Sequence, residues 1–210
     1  MINYFNTIKK ETNIIPKTIL EIGSRDGDDA NELKKLFSIT NDNVYLVEPN
    51  PTQVDVIKNK YPYYKLYDVG ILDLVGETLF YQYNNENKDL VGTSSFLNRT
   101  DGFYDNKNVA KIKINTITGK SLLKDINKNI DLCKIDVEGA TLNVLKSFGD
   151  KLNTIKSFHL EVEHKQYWEN QSLYEEIKMF MELNGYIELY KQSVYVEQSD
   201  VIYVFNQYLI

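Results

Sequence analysis

Residues 18–37 read TILEIGSRDGDDANELKKLF, and the hydrophobic period changes halfway along them. The first part is a short apolar run of the kind buried in a sheet. The second, from Asp28 to Phe37, repeats its apolar positions as an amphipathic helix does. Between the two lie Gly23 and Gly27, with Ser24, Arg25 and Asp26 in the gap. A strand that turns through glycines into a helix is the opening unit of a parallel sheet, because parallel neighbours need a crossover and a helix is the usual one.

The same rhythm continues. NVYLVEP gives a second strand, closed by Pro49 and Pro51, and a helix follows over residues 52–60 until Pro62 ends it. YYKLYDVGI reads as a third strand. ETLFYQYN and VAKIKIN alternate with period two, as half-buried strands do. The polar, turn-rich segment between them, residues 84–108, is long enough to be an active-site loop. NIDLCKIDV is another apolar strand, feeding a helix with Ala140, Val144, Leu145 and Phe148 on one face and Gly149 as its stop. IKSFHLEVE is the next strand. Ser172 and Glu175 make a capping box for a helix ended by Gly185, and YIELYKQ and VIYVFNQ read as a terminal hairpin. The expected fold is therefore α/β: a mostly parallel sheet with helices on both faces and an antiparallel C-terminal hairpin. One domain over residues 1–210, with residues 1–16 as an N-terminal helical extension, accounts for the chain.

Charge and cysteine narrow the function. A net charge of -6 gives no basic field to gather nucleic acid non-specifically. Cys133 is the only cysteine, in an apolar run, so it reads as a small core hydrophobe, and no multi-cysteine metal site exists. The N-terminus lacks the apolar core of a signal peptide and no apolar run is long enough to span a bilayer, so a cytoplasmic location is expected.

In parallel sheets, ligands bind beyond the carboxyl ends of the strands. Acids gather at those ends in this chain: Glu21 and Asp26, Glu48, Asp68, Asp136 and Glu138, Glu161 and Glu163. Glu48 lies 21 positions after Gly27, the separation at which an acid reaches ribose hydroxyls in nucleotide-binding sheets. A dinucleotide phosphate would want the bare N-terminus of the next helix. Here Asp26, Asp28, Asp29 and Glu32 surround that helix start and repel it. The pattern suits a nucleoside with a cationic tail and no phosphate, which describes S-adenosylmethionine. It disfavours a nicotinamide-dependent reductase.

At this point LEIGSRDG, YLVEPNP, GTSSF and above all LCKIDVEGATLNVLKSFG resemble the FkbM-type S-adenosylmethionine-dependent methyltransferases, over about residues 18–206. The resemblance implies a Rossmann-like seven-stranded methyltransferase sheet and methylation of a hydroxyl, often on a sugar or small metabolite. It implies that Glu21 and Gly23 line the methionine end and that Gly27 sits beside the ribose. Glu48, next to Pro49, would take both ribose hydroxyls. Asp68 and Val69 would lie at the adenine, with Ser94 and Ser95 closing over the cofactor. Ser24 and Arg25 replace the small residue and asparagine of the family's first motif, so Arg25 either clashes with the methionine tail or binds its carboxylate.

Methyl transfer is an in-line displacement and needs an aligned, deprotonated acceptor. Asp136 and Glu138 flank the expected methyl position, Asp136 also as a cofactor contact, and Glu163 and His164 are the candidate bases. Asp136, Glu161, Glu163 and His164 also form an oxygen-rich set suited to magnesium or manganese, and the sequence leaves that alternative open. Tyr167 and Trp168 offer an aromatic surface to a sugar, so the expected partner is a glycan or small-molecule acceptor. Methylation of RNA ribose and a non-catalytic S-adenosylmethionine-binding module are the alternatives.

Overall fold

A computed structural model describes residues 1–83, 92–102 and 109–210. The main sheet contains β1 (Ile19–Ile22), β2 (Val44–Val47), β3 (Lys65–Tyr67), β7 (Leu132–Ile135), β8 (Ser157–Glu163), β9 (Tyr186–Tyr195) and β10 (Gln198–Phe205). Its order is β3-β2-β1-β7-β8-β10-β9. The first five run parallel, and β10 pairs antiparallel with both β8 and β9. The mixed sheet with its terminal hairpin is thus as the sequence implies. A separate three-stranded sheet holds β4 (Gly70–Ile71), β5 (Gly76–Tyr83) and β6 (Val109–Ile117) in the order β4-β6-β5.

Side-chain alternation builds two cores from single strands. Leu20, Ile22, Tyr45, Val47, Cys133 and Ile135 face one side of the sheet. There they meet α4 (Gly119–Ile126), α5 (Thr141–Ser147) and α6 (Tyr174–Leu183). Ile19, Val44, Leu46 and Leu132 face the other side. They pack on α1 (Ile2–Glu11), α2 (Asp28–Phe37) and α3 (Pro51–Lys60). Cys133 is completely buried, as a core hydrophobe should be.

Four local expectations change. The third strand of the sequence reading splits, because Gly70 leaves the main sheet to pair with Thr116 on β6 under the ring of Phe96. Helix α4, absent from that reading, is capped by Thr118, whose hydroxyl accepts the Ser121 N–H at 3.1 Å. The cap of α6 lies one residue later than Ser172: the Leu173 N–H donates to Glu176 at 3.0 Å. Helix α5 stops at Ser147, and Gly149 (φ 53°) opens a 3-10 segment, Gly149–Thr154. Residues 84–91 and 103–108 of the expected loop lie outside the described residues. Among the described residues no helix is long and apolar enough to cross a membrane.

Candidate active site

The carboxyl ends of β2, β1, β7 and β8 are adjacent, and a cavity of about 520 Å³ runs across them. Each strand contributes the residue at its end: Glu48, Gly23, Asp136, and Glu161 with Glu163. The cavity is also lined by residues 92–96 with Arg99, and by the hairpin turn at Tyr195, Glu197 and Gln198.

The turn after β1 is fixed by backbone contacts. The N–H groups of Gly23 and Ser24 both donate to the Val47 oxygen, at 3.0 and 3.1 Å. Gly23 has φ 79°, and a Cβ there would lie 1.7 Å from the Asp136 backbone oxygen. Only glycine lets the two strand ends approach this closely. Arg25 follows at φ 51°, and its N–H points at Glu48 Oε2 at 2.7 Å. The Asn50 N–H reaches Glu48 Oε1 at 2.8 Å, so the carboxylate is gripped from both sides. Burial pushes the Glu48 carboxyl up to about 7, against the pull of those two N–H groups and with help from the Asp136 charge.

At the other end of the cavity the carboxylates crowd. Lys134 Nζ sits 3.0 Å from Asp136 Oδ2 and 2.7 Å from Asp29. Glu138 adopts φ 51°, strain that is tolerated where surroundings enforce it, and its backbone oxygen accepts the Ser95 hydroxyl at 2.7 Å. Burial and the charges of Asp136 and Glu163 raise the Glu138 carboxyl well above its ordinary value. Glu161 is raised likewise, by burial and then by Asp136, Glu138 and Glu163. Burial pushes Glu163 up to about 7, with the Gln171 amide pulling the other way. Even so, Glu163 Oε2 has no hydrogen-bond partner within normal distance among the described residues.

Of the residues singled out in the sequence, Gly23, Arg25, Glu48, Pro49, Val69, Ser95, Asp136 and Glu163 line this one cavity. Four do not. Glu21 is buried beneath the turn, 3.8 Å from Lys134 Nζ, and burial raises its carboxyl to about 8. Gly27 begins α2 and packs against Tyr61 and Leu46. Asp68 points to solvent, 3.7 Å from Lys58. His164 is exposed; its Nε2 pairs with Ser199 Oγ at 2.8 Å and its ring meets Tyr174 edge-on. Trp168 is only 2% exposed and packs beside Gly139, so it offers little surface to a sugar, and Tyr167 is the more open ring.

The sequence reading did not assign Asn50, Arg99 or the turn of the terminal hairpin to the site. Asn50 had a local signal, as the N-cap of α3 right after the acid. Arg99 pairs with Asp101 at 2.8 Å and lies over Tyr167 and Trp168, 5.1 and 4.8 Å from the ring centres. Tertiary packing alone brings it there.

Several solved structures share this architecture at low sequence identity. The ribosomal protein L11 methylase of Lactobacillus delbrueckii subsp. bulgaricus aligns at TM-score 0.55 and 10% identity, over 97% of this chain and 75% of that one. The methyltransferase FkbM of Methylobacillus flagellatus KT aligns at TM-score 0.55 and 13% identity, over 91% of this chain. This chain spans 44% of the Methylobacillus protein's length. A Streptococcus agalactiae protein of the NADB-Rossmann superfamily aligns at TM-score 0.52 and 12% identity, over 96% of this chain and 67% of that one. A search of curated protein sequences gave no match. The fold defines the class, a Rossmann-like α/β sheet. The methyltransferase FkbM domain model matches residues 21–188, and the chain belongs to that family of S-adenosylmethionine-dependent methyltransferases.

Proposed function

We propose that the protein transfers a methyl group from S-adenosylmethionine to a hydroxyl oxygen of a sugar, a glycan or a similar small polar acceptor. The observation that carries this reading is one cavity with two chemically different ends. Glu48, just past β2, and Glu161 on β8 are three strands apart, about 14 Å at the usual strand spacing. That leaves room for a nucleoside at one end and an acceptor at the other.

The residues at the first end fit the cofactor. Glu48 presents a carboxylate already gripped by backbone N–H groups, suited to two ribose hydroxyls, while the bare Cα of Gly23 admits a ligand against the backbone. Val69 and Phe80 supply apolar lining. When bound, the cofactor supplies an electrophilic methyl on a sulfonium. At the second end, Asp136, Glu161 and Glu163 accept hydrogen bonds from acceptor hydroxyls. In the displacement the acceptor oxygen forms the new C–O bond as the C–S bond breaks and its electrons return to sulfur. The hydroxyl proton passes to Glu163, whose Oε2 has no hydrogen-bond partner among the described residues.

Six carboxylates line the cavity against two arginines, which argues against a polyanionic acceptor such as RNA. The test is a transfer screen with labelled S-adenosylmethionine over saccharides, nucleotide sugars and capped RNA, with the modified atom located. Methylated saccharide oxygen supports the reading. Transfer to capped RNA alone refutes it.

A further inference from the structure

Asp136, Glu138 and Glu161 each place one carboxylate oxygen so that all three lie within 4.8 Å of one another. Oxygens around a single magnesium or calcium ion stand about 2.0–2.6 Å from it, so opposite ligands are about 4–5 Å apart. The three oxygens are therefore spaced as ligands of one ion. A carboxylate cluster alone often means no more than a solvated acidic surface. Here Glu163, from outside the cluster, lines the same cavity. Glu163 follows Glu161 by two residues on β8, so alternation puts both on one side of the strand, and both line the cavity. Glu163 is 1% exposed, and its Oε2 has no hydrogen-bond partner among the described residues. A buried acceptor oxygen without a donor is costly unless a ligand completes it. Lys134 engages one oxygen of Asp136, leaving the other for the cavity.

From this geometry we infer that Asp136, Glu138 and Glu161 hold a hard divalent cation, magnesium or manganese, with Glu163 turned toward a water or hydroxyl oxygen bound to it. Oxygen-only ligands select such ions over zinc or copper. The ligand set differs from the one the sequence suggests, since His164 lies outside the cavity and Glu138 takes its place. The inference deepens the proposed hydroxyl methylation, because an ion here holds an acceptor oxygen beside the methyl position. Ion binding itself is measured without cofactor or acceptor, so it stands or falls separately.

The chain has one tryptophan, Trp168, which lines the same cavity and packs on Gly139, the residue after Glu138. Paramagnetic Mn²⁺ at the site should therefore quench its fluorescence. The experiment titrates Mn²⁺ into the metal-free full chain, following the free-ion resonance signal and Trp168 emission together. One ion per chain should bind, with quenching on the same curve, reversal by EDTA and displacement by excess Mg²⁺. Glu161→Gln and Asp136→Asn should each weaken binding at least tenfold, while Glu77→Gln, an exposed acid on β5, should not. The wild-type quench requires no variant to fold. No uptake at millimolar Mn²⁺, or uptake that leaves Trp168 emission and the Glu161→Gln titration unchanged, would overturn the inference.

Discussion

Gly23 rests against Asp136 so closely that a Cβ on the glycine would sit 1.7 Å from the aspartate's backbone oxygen. The first and fourth parallel strands of the chain thereby meet, and the cofactor and acceptor ends of the cavity share one wall. Gly23→Ala must move that wall and also holds φ 79° with a side chain. Overpacking and left-handed strain together cost roughly 3 kcal/mol. For a chain of this size that lowers the melting temperature by about 6–12 °C. Gly76→Ala carries backbone strain too, at φ 126°, but no atom lies within 4 Å, so without the overpacking it should lose less by the same thermal scan.

Glu48 gives the cofactor end a pH dependence. Burial pushes its carboxyl up to about 7 in the folded chain, against an ordinary 4.5. The folded state thus holds a proton that the unfolded chain has lost. That contribution to stability is complete below the ordinary value and disappears as pH rises through 7. Ribose hydroxyls donate to the ionised form, so cofactor affinity should move the other way. It should rise about tenfold from pH 6 to pH 8 as the ionised fraction grows. Titration calorimetry at both values checks this, and Glu48→Gln should remove most of the rise.

His164→Ala should leave methyl transfer within about threefold of wild type, because the ring lies outside the cavity on Ser199. Its cost is the lost hydrogen bond, about 1 kcal/mol in unfolding free energy. A hundredfold loss of rate without loss of stability would instead put the histidine in the mechanism.

Asp136→Asn should separate turnover from folding. Lys134 keeps Asp29 at 2.7 Å and Glu21 at 3.8 Å, so the melting temperature should barely move. Initial rates should fall about tenfold or more, since the variant loses charge where the reactants align. Equal losses of stability and rate would make Asp136 structural.

The contrast between Glu163 and His164 shows what the sequence could carry. Short continuous apolar runs identified β1, β2, β7 and β8, and a helical period identified α2, because local burial decides each of them. The acids at the strand ends followed directly, since each closes an apolar run. Adjacency misled, however: neighbouring strand residues face opposite sides, so Glu163 enters the cavity while His164 leaves it. Helix α4 was missed because eight residues give only two turns of periodicity. The third strand broke because Phe96, 26 positions downstream, packs on Gly70. Arg99 and the Tyr195 turn reach the site only through such distant packing.

The central claim is that the cavity binds S-adenosylmethionine with Glu48 on the ribose. Isothermal titration of the full chain with S-adenosylmethionine, its demethylated product and NAD tests it most directly. Saturable binding of the first two is expected, with no heat from NAD, and affinity weakened about ten- to a hundredfold in Glu48→Ala, the worth of hydrogen bonds to a charged group. Silence with S-adenosylmethionine, or equal affinity in wild type and Glu48→Ala, would contradict it.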